Sequence, residues 1–405
     1  MNKKRQYRLA LVCAMGMSHG IVAQGNDFST GEFANKNGMF EAFVGSDLND
    51  NQFSKDTGIN FGGWMSFGLT YNAEDPGDNN NTPVTFNDRD LELQGNQLNL
   101  FIERAVDAEG DSWDIGGRVD MMYGTDGRFT SATGLDDDII TDGASRFYKL
   151  VFPQLYAQVF APIGNGVTAT VGHFYTIIGN EVVTSPDNFF YSHAYTMQYG
   201  EPFTHTGVLL ETPLTGNINL KAGGVLGWDN FSEDTDIWNF LGGIDWTSDD
   251  EATSIAIAAV YGDVSEDRPN DDRWVYSVVA SHNFSDNLHY TIQHDHGREE
   301  GVVPGTNAKW YGINQYLAYD LSETLAAGIR AEWFSDVDGT RVQGLTTGAG
   351  TDYYAVTLGL NAKVANWITV RPEIRYDWSH GGADPYDVGT SNHQLLIATD
   401  VVITF

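Results

Sequence analysis

Charged residues at every second position are the features of this sequence most capable of chemistry. Between residues 367 and 379, Arg371, Glu373, Arg375 and Asp377 alternate with mostly apolar residues. Side chains two apart lie on the same face of a β-strand, so this spacing predicts a charged face and an opposite, mostly apolar face. Six further charged residues lie on the polar faces of other predicted strands: Asp114, Arg118, Asp120, Lys221, Arg330 and Glu332.

These charged faces admit two interpretations. Charges shielded from water are costly unless they are paired, so these residues either meet water or form ion pairs with one another. Facing rows of arginines and carboxylates in a water-filled lumen would create a transverse field that orients passing solutes. The same rows could form a ladder of ion pairs that only stiffens the wall. The first interpretation predicts that replacing Arg371 and Arg375 by Ala changes ion selectivity.

Catalytic and metal-binding constellations are not evident in the sequence. His294 and His296 lie two apart on one strand face, but no third ligand is close to them in the sequence. Ser192 and His193 are adjacent, and neighbours on a strand point to opposite faces, which argues against a Ser-His dyad. The glycines are scattered and form no phosphate-binding motif. We therefore expect no catalytic residues, no metal site and no cofactor.

The segments that position the charges alternate with period two and are long enough to cross a membrane as strands. In Ser112–Gly124, Trp113 and Tyr123 lie at the two ends of the apolar face, with aliphatic residues between them. Strands of this kind match the lipid-facing band of about 25 Å between the aromatic girdles of membrane barrels. The arrangement recurs in three further segments: Ile237–Thr247, Arg273–Phe284 and Trp367–Ser379.

We predict an all-β fold, in which about sixteen antiparallel strands close into a transmembrane β-barrel. The predicted connections alternate between short turns such as Pro213–Gly216 and long polar loops such as Ser335–Gly350. An even strand count then places both termini and the short turns in the periplasm and the long loops outside the cell. The predicted strands begin near Ile59, Leu91, Ser112, Arg146, Val167, Thr204, Asn217, Ile237, Ala252, Arg273, Leu288, Ala308, Thr324, Thr351, Trp367 and Asn392.

The composition agrees with a barrel and argues against other classes of protein. The chain has 405 residues, of which 41 % are hydrophobic, 13 % are aromatic and 45 are glycines. No apolar run in the sequence reaches the length of about twenty residues that a membrane helix requires. The formal net charge of −33 would repel phosphate backbones, so we expect no nucleic-acid partner.

The N-terminus carries the pattern of an export signal. Basic residues before Leu9 precede an apolar stretch that ends at Ala23, which predicts a secretory signal peptide over residues 1–23. The only cysteine, Cys13, lies inside this segment, so the mature chain would form no disulfide. Residues 24–58 alternate poorly, and we expect them to form either a periplasmic segment or a segment inside the lumen. Residues 59–405 are expected to form the barrel.

The final strand carries a second signal of the same class. Apolar residues occupy one face of His393–Phe405, and the chain ends on the aromatic residue Phe405. Such a strand resembles the signal by which outer-membrane barrels are recognised for assembly. We therefore expect the barrel-assembly machinery to be a partner through Phe405.

Three stretches resemble the OmpL-like β-barrel porin family. They are VGHFYTIIGNEVV at Val171–Val183, GEPFTHTGV at Gly200–Val208 and GWDNF at Gly227–Phe231. The resemblance extends over roughly residues 60–405. It implies a porin-like barrel in the bacterial outer membrane and no defined catalytic residues.

The longest predicted loop, Gly179–Phe203, is also the most aromatic. An exposed loop with so much apolar surface is unfavourable unless it packs against something. We expect it either to bend into the lumen and narrow the pore or to pack against neighbouring loops at the rim. In the first case the constriction residues would be Phe189, Phe190, Tyr191, Tyr195 and Tyr199.

Together these features predict an outer-membrane porin that allows passive diffusion of small hydrophilic solutes or ions. Two alternatives stay open: an outer-membrane enzyme of the lipase or protease type, and a soluble secreted β-protein that binds carbohydrate through its aromatic residues. The porin interpretation implies outer-membrane lipid, the solutes or ions and the assembly machinery as partners. It also allows a homo-oligomer.

Overall fold

The computed structural model describes residues 38–140, 147–232, 235–268, 271–303, 306–342 and 349–405. These residues form one antiparallel sheet of seventeen strands. In chain order the strands are β1 (Asn60–Asn72), β2 (Gln94–Arg104), β3 (Asp114–Gly124), β4 (Lys149–Val151), β5 (Leu155–Ala161), β6 (Val167–Tyr175), β7 (Thr204–Pro213), β8 (Ile218–Val225), β9 (Asn239–Thr247), β10 (Thr253–Asp263), β11 (Asp272–Ser285), β12 (Leu288–Val303), β13 (Thr306–Ser322), β14 (Leu325–Asp336), β15 (Thr351–Ala365), β16 (Ile368–Gly381) and β17 (His393–Thr404). Within the described residues, every helix is too short or too polar to cross a membrane.

The sheet closes on itself between its first and last strands. β1 pairs with β2 on one side, where Trp64 lies opposite Asn99, and with β17 on the other side, where Trp64 lies opposite Thr404. The remaining strands pair with their neighbours in sequence around the wall. Closure lets backbone groups pair between strands without leaving a free edge, which a sheet in lipid requires.

One position in the wall is shared by two short strands. β4 and β5 both pair with β3, because Val151 lies opposite Met122 and Leu155 lies opposite Val119. The connection between them contains Pro153, which lacks the N–H that a central strand donates to its neighbour. The seventeen strands therefore occupy sixteen wall positions, which confirms the predicted all-β barrel of about sixteen antiparallel strands.

The exterior of the barrel is apolar and aromatic. Trp113 and Trp238 are 65 % and 61 % exposed on the outer face. Trp378 stacks against Tyr354 and Tyr376, with ring centres 5.3 and 5.7 Å apart. Outward side chains alternate with buried inward ones along each long strand, as in β16. The alternation produces the lipid-facing belt that the sequence predicts.

Three short α-helices flank the first strands: α1 (Met39–Val44), α2 (Gln52–Thr57) and α3 (Gly127–Thr130). The ring of Phe43 in α1 lies 5.6 Å from the ring of Trp367, in the short turn before β16. The described part of the predicted segment 24–58 therefore lies at the end of the barrel that carries the short turns. Residues 24–37 and the predicted signal peptide, residues 1–23, lie outside the described residues.

Several long loops fold into the barrel. Their apolar side chains join inward residues of the wall in one buried cluster, which includes Ile178, Tyr199, Trp228, Phe334 and Tyr353. This packing lies at the long-loop end of the barrel, since these residues come from long loops or from the strand ends next to them. The lumen is therefore partly filled at that end.

Candidate functional site

The lumen contains the loop between β6 and β7, residues 176–203, which we call the lumen loop. All ten residues from Tyr191 to Gly200 are buried, and Thr196–Gly200 form one π-helical turn. The indole Nε1 of Trp310 on β13 donates to the carbonyl oxygen of Gly200 at 3.0 Å. The hydroxyl of Thr196 donates to Oδ1 of Asn314 at 3.1 Å. The loop thus lies inside the barrel, against its wall.

Two wall carboxylates hold the backbone of the lumen loop. Oε2 of Glu373 on β16 accepts from the backbone N–H of Tyr191 at 2.9 Å, and its Oε1 accepts from that of Ser192 at 3.2 Å. Oε2 of Glu332 on β14 accepts from the backbone N–H of Tyr195 at 2.6 Å. The loop has no β partner for these donors, so the charged wall supplies the acceptors that buried N–H groups need.

Three wall arginines hold the carbonyl groups of the same loop. Nη1 of Arg371 donates to two loop carbonyl oxygens, both at 2.6 Å. Nη1 of Arg375 donates to a third at 2.6 Å, and Nη1 of Arg330 donates to a fourth at 2.5 Å. Each guanidinium also faces a carboxylate: Arg371 pairs with Asp400, Arg375 pairs with Asp377, and Arg330 pairs with Glu181 at 2.8 Å. Ion pairs and loop contacts together offset the cost of burying these charges.

The lumen loop covers part of the predicted pore lining. Arg330 and Arg375 have 0 % of their surface exposed, and Arg371 has 3 %. The charged side chains on β14 and β16 point inward as expected, but the lumen loop covers them. Six of the predicted pore residues are therefore buried between the wall and the lumen loop: Arg330, Glu332, Arg371, Glu373, Arg375 and Asp377.

The aromatic residues of the loop also contact the wall. The hydroxyl of Tyr195 donates to Oδ1 of Asp377 at 3.0 Å, and that of Tyr191 donates to Oδ1 of Asn96 on β2 at 3.0 Å. Tyr199 donates to the carbonyl oxygen of Pro83 in the β1–β2 loop. Phe189 and Phe190 pack edge to face with ring centres 4.8 Å apart. The loop's aromatic surface is thus largely used in packing.

The other four predicted pore residues lie on β3 and β8. Lys221 on β8 pairs with Asp245 on β9 at 2.8 Å. Arg118 on β3 donates to Asp120 at 2.6 Å and lies 3.5 Å from Glu103 on β2. Asp114 pairs with Arg104 at 2.9 Å. Except for Asp120, which is fully buried, these side chains are partly exposed: Asp114, Arg118 and Lys221 keep 22 %, 15 % and 17 % of their surface.

The hydrogen bonds between the lumen loop and the strands lie mainly on one side of the barrel. Its hydrogen bonds with strands go to β12, β13, β14, β15, β16 and β2. On the side formed by β3 to β11, the loop forms a hydrogen bond at its root, where Thr176 meets His205 at 3.0 Å, and contributes apolar side chains such as Ile178 and Val183 to the buried clusters. We call the inner face of β3 to β11, where few wall side chains hydrogen-bond with the lumen loop, the free arc. Partly exposed charged side chains such as Lys221 and Asp245 lie on this arc.

Sequence analysis missed a charged cluster at the long-loop end. Arg268, Arg273 and Arg341 all approach the carboxylate of Glu299. Arg341 lies more than sixty residues beyond Arg273 in the sequence, and no spacing pattern joins them. Only the closure of the barrel and the inward course of the loops bring them together.

A closed antiparallel barrel with an apolar exterior and a charged interior defines the class of outer-membrane porins and channels. Within that class, the chain belongs to the family described as "Putative beta-barrel porin-2, OmpL-like", which matches residues 58–405. The match confirms the resemblance seen in the sequence. No curated protein matches the chain in sequence.

Solved structures of outer-membrane proteins share the fold. The trimer form of OmpT from Vibrio cholerae is 13 % identical with a TM-score of 0.54, over 86 % of this chain and 99 % of that chain. The outer membrane channel DcaP of Acinetobacter baumannii is 12 % identical with a TM-score of 0.54, over 86 % and 97 %. The anion-selective porin from Comamonas acidovorans is 11 % identical with a TM-score of 0.57, over 86 % and 99 %. At these identities the likeness establishes the fold alone.

Proposed function

We propose that this porin allows small hydrophilic solutes or ions to diffuse passively across the bacterial outer membrane along the free arc. The observation that carries the proposal is the unequal exposure of the inward charges. Arg330 and Arg375 are fully buried under the lumen loop. Lys221 and Asp245 on the free arc keep 17 % and 34 % of their side-chain surface exposed. Membership of a porin family supports a passive channel.

The charges on the free arc would act on passing ions. At physiological salt a charge is felt over about 8 Å, so a wall charge reaches the ions that pass beside it. Lys221 favours anions in its vicinity and Asp245 favours cations, and their pairing balances the two effects. Removing one partner leaves the other uncompensated at the passage.

Single-channel recording in planar lipid bilayers tests this proposal. We expect stepwise conductance from the wild type. The reversal potential should show greater selectivity for cations in Lys221→Gln and greater selectivity for anions in Asp245→Asn. Lys309→Gln is the matched control, because it removes one cation from an exposed position of β13 next to the inward Trp310. Silence from the folded wild type, or equal selectivity in all four proteins, would contradict the proposal.

The proposal includes no catalysis, in contrast to the lipase or protease alternative. Family membership and the channel fold support this part of the proposal. Incubating the folded protein in micelles with phospholipid or casein should release neither fatty acid nor peptides. Turnover that persists after purification to homogeneity would favour the enzyme.

The proposal extends to export and assembly. We expect signal peptidase to cleave after Ala23 and the barrel-assembly machinery to recognise the final strand. The backbone N–H and carbonyl of Phe405 exchange hydrogen bonds with Gly63, both at 2.9 Å, so the last residue seals the barrel to β1. Deleting Phe405 should reduce the yield in the outer-membrane fraction, and intact mass should place the mature N-terminus at Gln24. Full yield without Phe405 would contradict the assembly role.

A homo-oligomer completes the proposal. OmpT of Vibrio cholerae, which shares the fold, has been solved in a trimer form. We expect the outer face of this barrel to contact both lipid and neighbouring copies. The mature chain has a mass of 44.6 kDa less that of the signal peptide. Analytical ultracentrifugation in density-matched detergent should give two or more times this mass. A single-copy mass would contradict it.

A further inference from the structure

Three arginines meet one carboxylate at the long-loop end of the lumen. Arg268 lies in the loop between β10 and β11, Arg273 lies at the start of β11, and Arg341 follows β14. Nη1 of Arg268 is 2.9 Å from Oε1 of Glu299 on β12. Nη1 of Arg273 and Nη1 of Arg341 are 3.6 and 3.5 Å from its Oε2. One carboxylate therefore faces three guanidinium groups.

Buried donors in this cluster are left without acceptors. Nε of Arg273 and Nε1 of Trp228 have no hydrogen-bond partner among the described residues. Trp228 is only 8 % exposed. The contacts of Arg273 and Arg341 with Glu299 are longer than the roughly 2.7–3.2 Å of an N–H···O hydrogen bond. Buried donors in native proteins normally have partners, so these donors point to an acceptor that binds from outside the chain.

The neighbouring carboxylates are engaged elsewhere. Asp229 accepts from the backbone N–H groups of Phe203 and Thr204 at 3.0 and 2.8 Å. Asp336 accepts from three successive backbone N–H groups that begin at Thr340. Asp271 accepts from Nε of Arg268 at 3.0 Å. Glu299 is thus the one carboxylate within ion-pair distance of Arg273 and Arg341 among the described residues.

Two tryptophans give the cluster an apolar side. The guanidinium carbons of Arg273 and Arg341 lie 4.3 and 5.4 Å from the ring centre of Trp228. Arg341 also lies 4.6 Å from the ring centre of Trp310, which packs edge to face with Trp228. These contacts with the rings hold the guanidinium groups in place. Nε of Arg341 donates to the carbonyl oxygen of Tyr199 at 2.9 Å, whereas Nε of Arg273 has no partner among the described residues.

We infer that this arginine cluster binds the carboxylate group of a small organic anion on its way into the passage. The inference rests on the proposed channel function, for which it names a solute class. Guanidinium groups match a carboxylate with two parallel hydrogen bonds, and the tryptophans would contact the apolar part of such a solute. Arg273 and Arg341 keep 15 % and 18 % of their side chains exposed, so the aqueous lumen reaches them. On a chain of formal net charge −33, this cluster is a local attraction for anions.

Calorimetric titration of the folded full chain in detergent micelles with sodium benzoate tests the inference. We expect saturable benzoate binding that weakens at least about tenfold in Arg273→Gln and in Arg341→Gln, the usual size of a lost charged hydrogen bond. Arg298→Gln is the matched control, because Arg298 precedes Glu299 on β12 and pairs with Glu300 on the opposite face. It should bind benzoate as tightly as the wild type, within about twofold. Heat-modified migration on gels checks that each variant is folded.

Glu299→Gln separates a binding role from a structural one. The Glu299 carboxylate competes with the ligand for the arginines, so its removal should strengthen benzoate binding severalfold. If Glu299 only held the arginines in place, its removal would weaken benzoate binding. No titratable benzoate binding to the wild type, tighter binding of inorganic phosphate than of benzoate, or weaker binding by Glu299→Gln would overturn the inference. Calorimetry does not depend on conduction: normal conductance without benzoate binding overturns this inference alone, and benzoate binding without conductance overturns the channel.

Discussion

At the residue scale, the interior is governed by how buried charges find partners. Arg371 donates to both oxygens of Asp400 and to two carbonyl groups of the lumen loop. Asp400 is fully buried, and its further contact is with the hydroxyl of Ser66 at 3.4 Å. Removing one partner of such a pair costs much stability, because the other would be left as a buried unpaired charge.

Arg371→Ala is therefore expected to destabilise the barrel strongly. Removing one partner of a buried pair costs about 3–5 kcal/mol, and urea unfolding in micelles measures the loss. Arg298→Ala, which breaks a half-exposed pair with Glu300, should cost less than about 1 kcal/mol. Equal losses in the two variants would refute the account. Because Arg371 holds the loop and not the solute, we expect its effect on the channel to be a change in conductance.

Asp126, just beyond the end of β3, should make stability depend on pH. Burial raises the pKa of its carboxyl to about 7, against hydrogen bonds from Asn96, Gln97 and Thr125 and the charge of Arg128. Between about pH 4 and pH 7 the folded chain then holds a proton that the unfolded chain has lost. The free energy of unfolding should fall as pH rises through this window, by at most about 1.4 kcal/mol per pH unit.

The Asp126→Asn variant tests this linkage. Its neutral side chain removes the titration, so unfolding by urea at a series of pH values should show a shallower slope than in the wild type. Asp267→Asn, at an exposed loop position, should keep the wild-type slope. A slope in Asp126→Asn equal to that of the wild type would contradict the assignment.

At the scale of elements, the lumen loop is a segment without β partners that takes its hydrogen bonds from the wall. Glu332 and Glu373 accept three of its backbone N–H groups. Replacing both by Gln keeps the shape but weakens acceptors that draw their strength from charge. We expect single-channel recordings of the double variant to show a higher mean conductance and more flicker, because the loop is held less firmly. Glu300→Gln, on the outer face of β12, should record as the wild type; unchanged traces from the double variant would show that the loop does not narrow the passage.

The sequence predicts the strands well because period-two alternation is a local property. Predicted and observed starts differ by at most three residues, as at Leu91 against Gln94 and Arg146 against Lys149. The division of one wall position into β4 and β5 does not follow from the alternation, because its cause is the single residue Pro153. Which strands lie beside one another also followed from sequence order, because every connection joins neighbours in the wall.

The contents of the lumen could not be predicted in the same way. Alternation shows that Arg371 and Arg375 point inward, but not that a loop nearly two hundred residues earlier covers them. The arginine cluster around Glu299 depends on three segments that meet only after closure. Contacts across a closed barrel depend on loop paths, and loop paths carry no periodic signal.

At the scale of the whole molecule, the barrel is asymmetric inside. The lumen loop forms its hydrogen bonds mainly with β12–β16 and β2, whereas the free arc from β3 to β11 keeps partly exposed charges. The proposed passage therefore runs beside the loop, along one side of the wall. The charges that the sequence predicts as one lining are thus divided into a buried set, most of which holds the loop, and a partly exposed set on β3 and β8.

Cysteine modification during single-channel recording tests this division most directly. The only cysteine, Cys13, lies in the predicted signal peptide, so an introduced cysteine would be unique in the mature chain. With a charged, membrane-impermeant methanethiosulfonate reagent, Lys221→Cys on the free arc should show a stepwise change in current. Thr357→Cys, whose position is fully buried beneath the loop, should not react. Current that responds to modification at residue 357 and not at residue 221 would contradict the account.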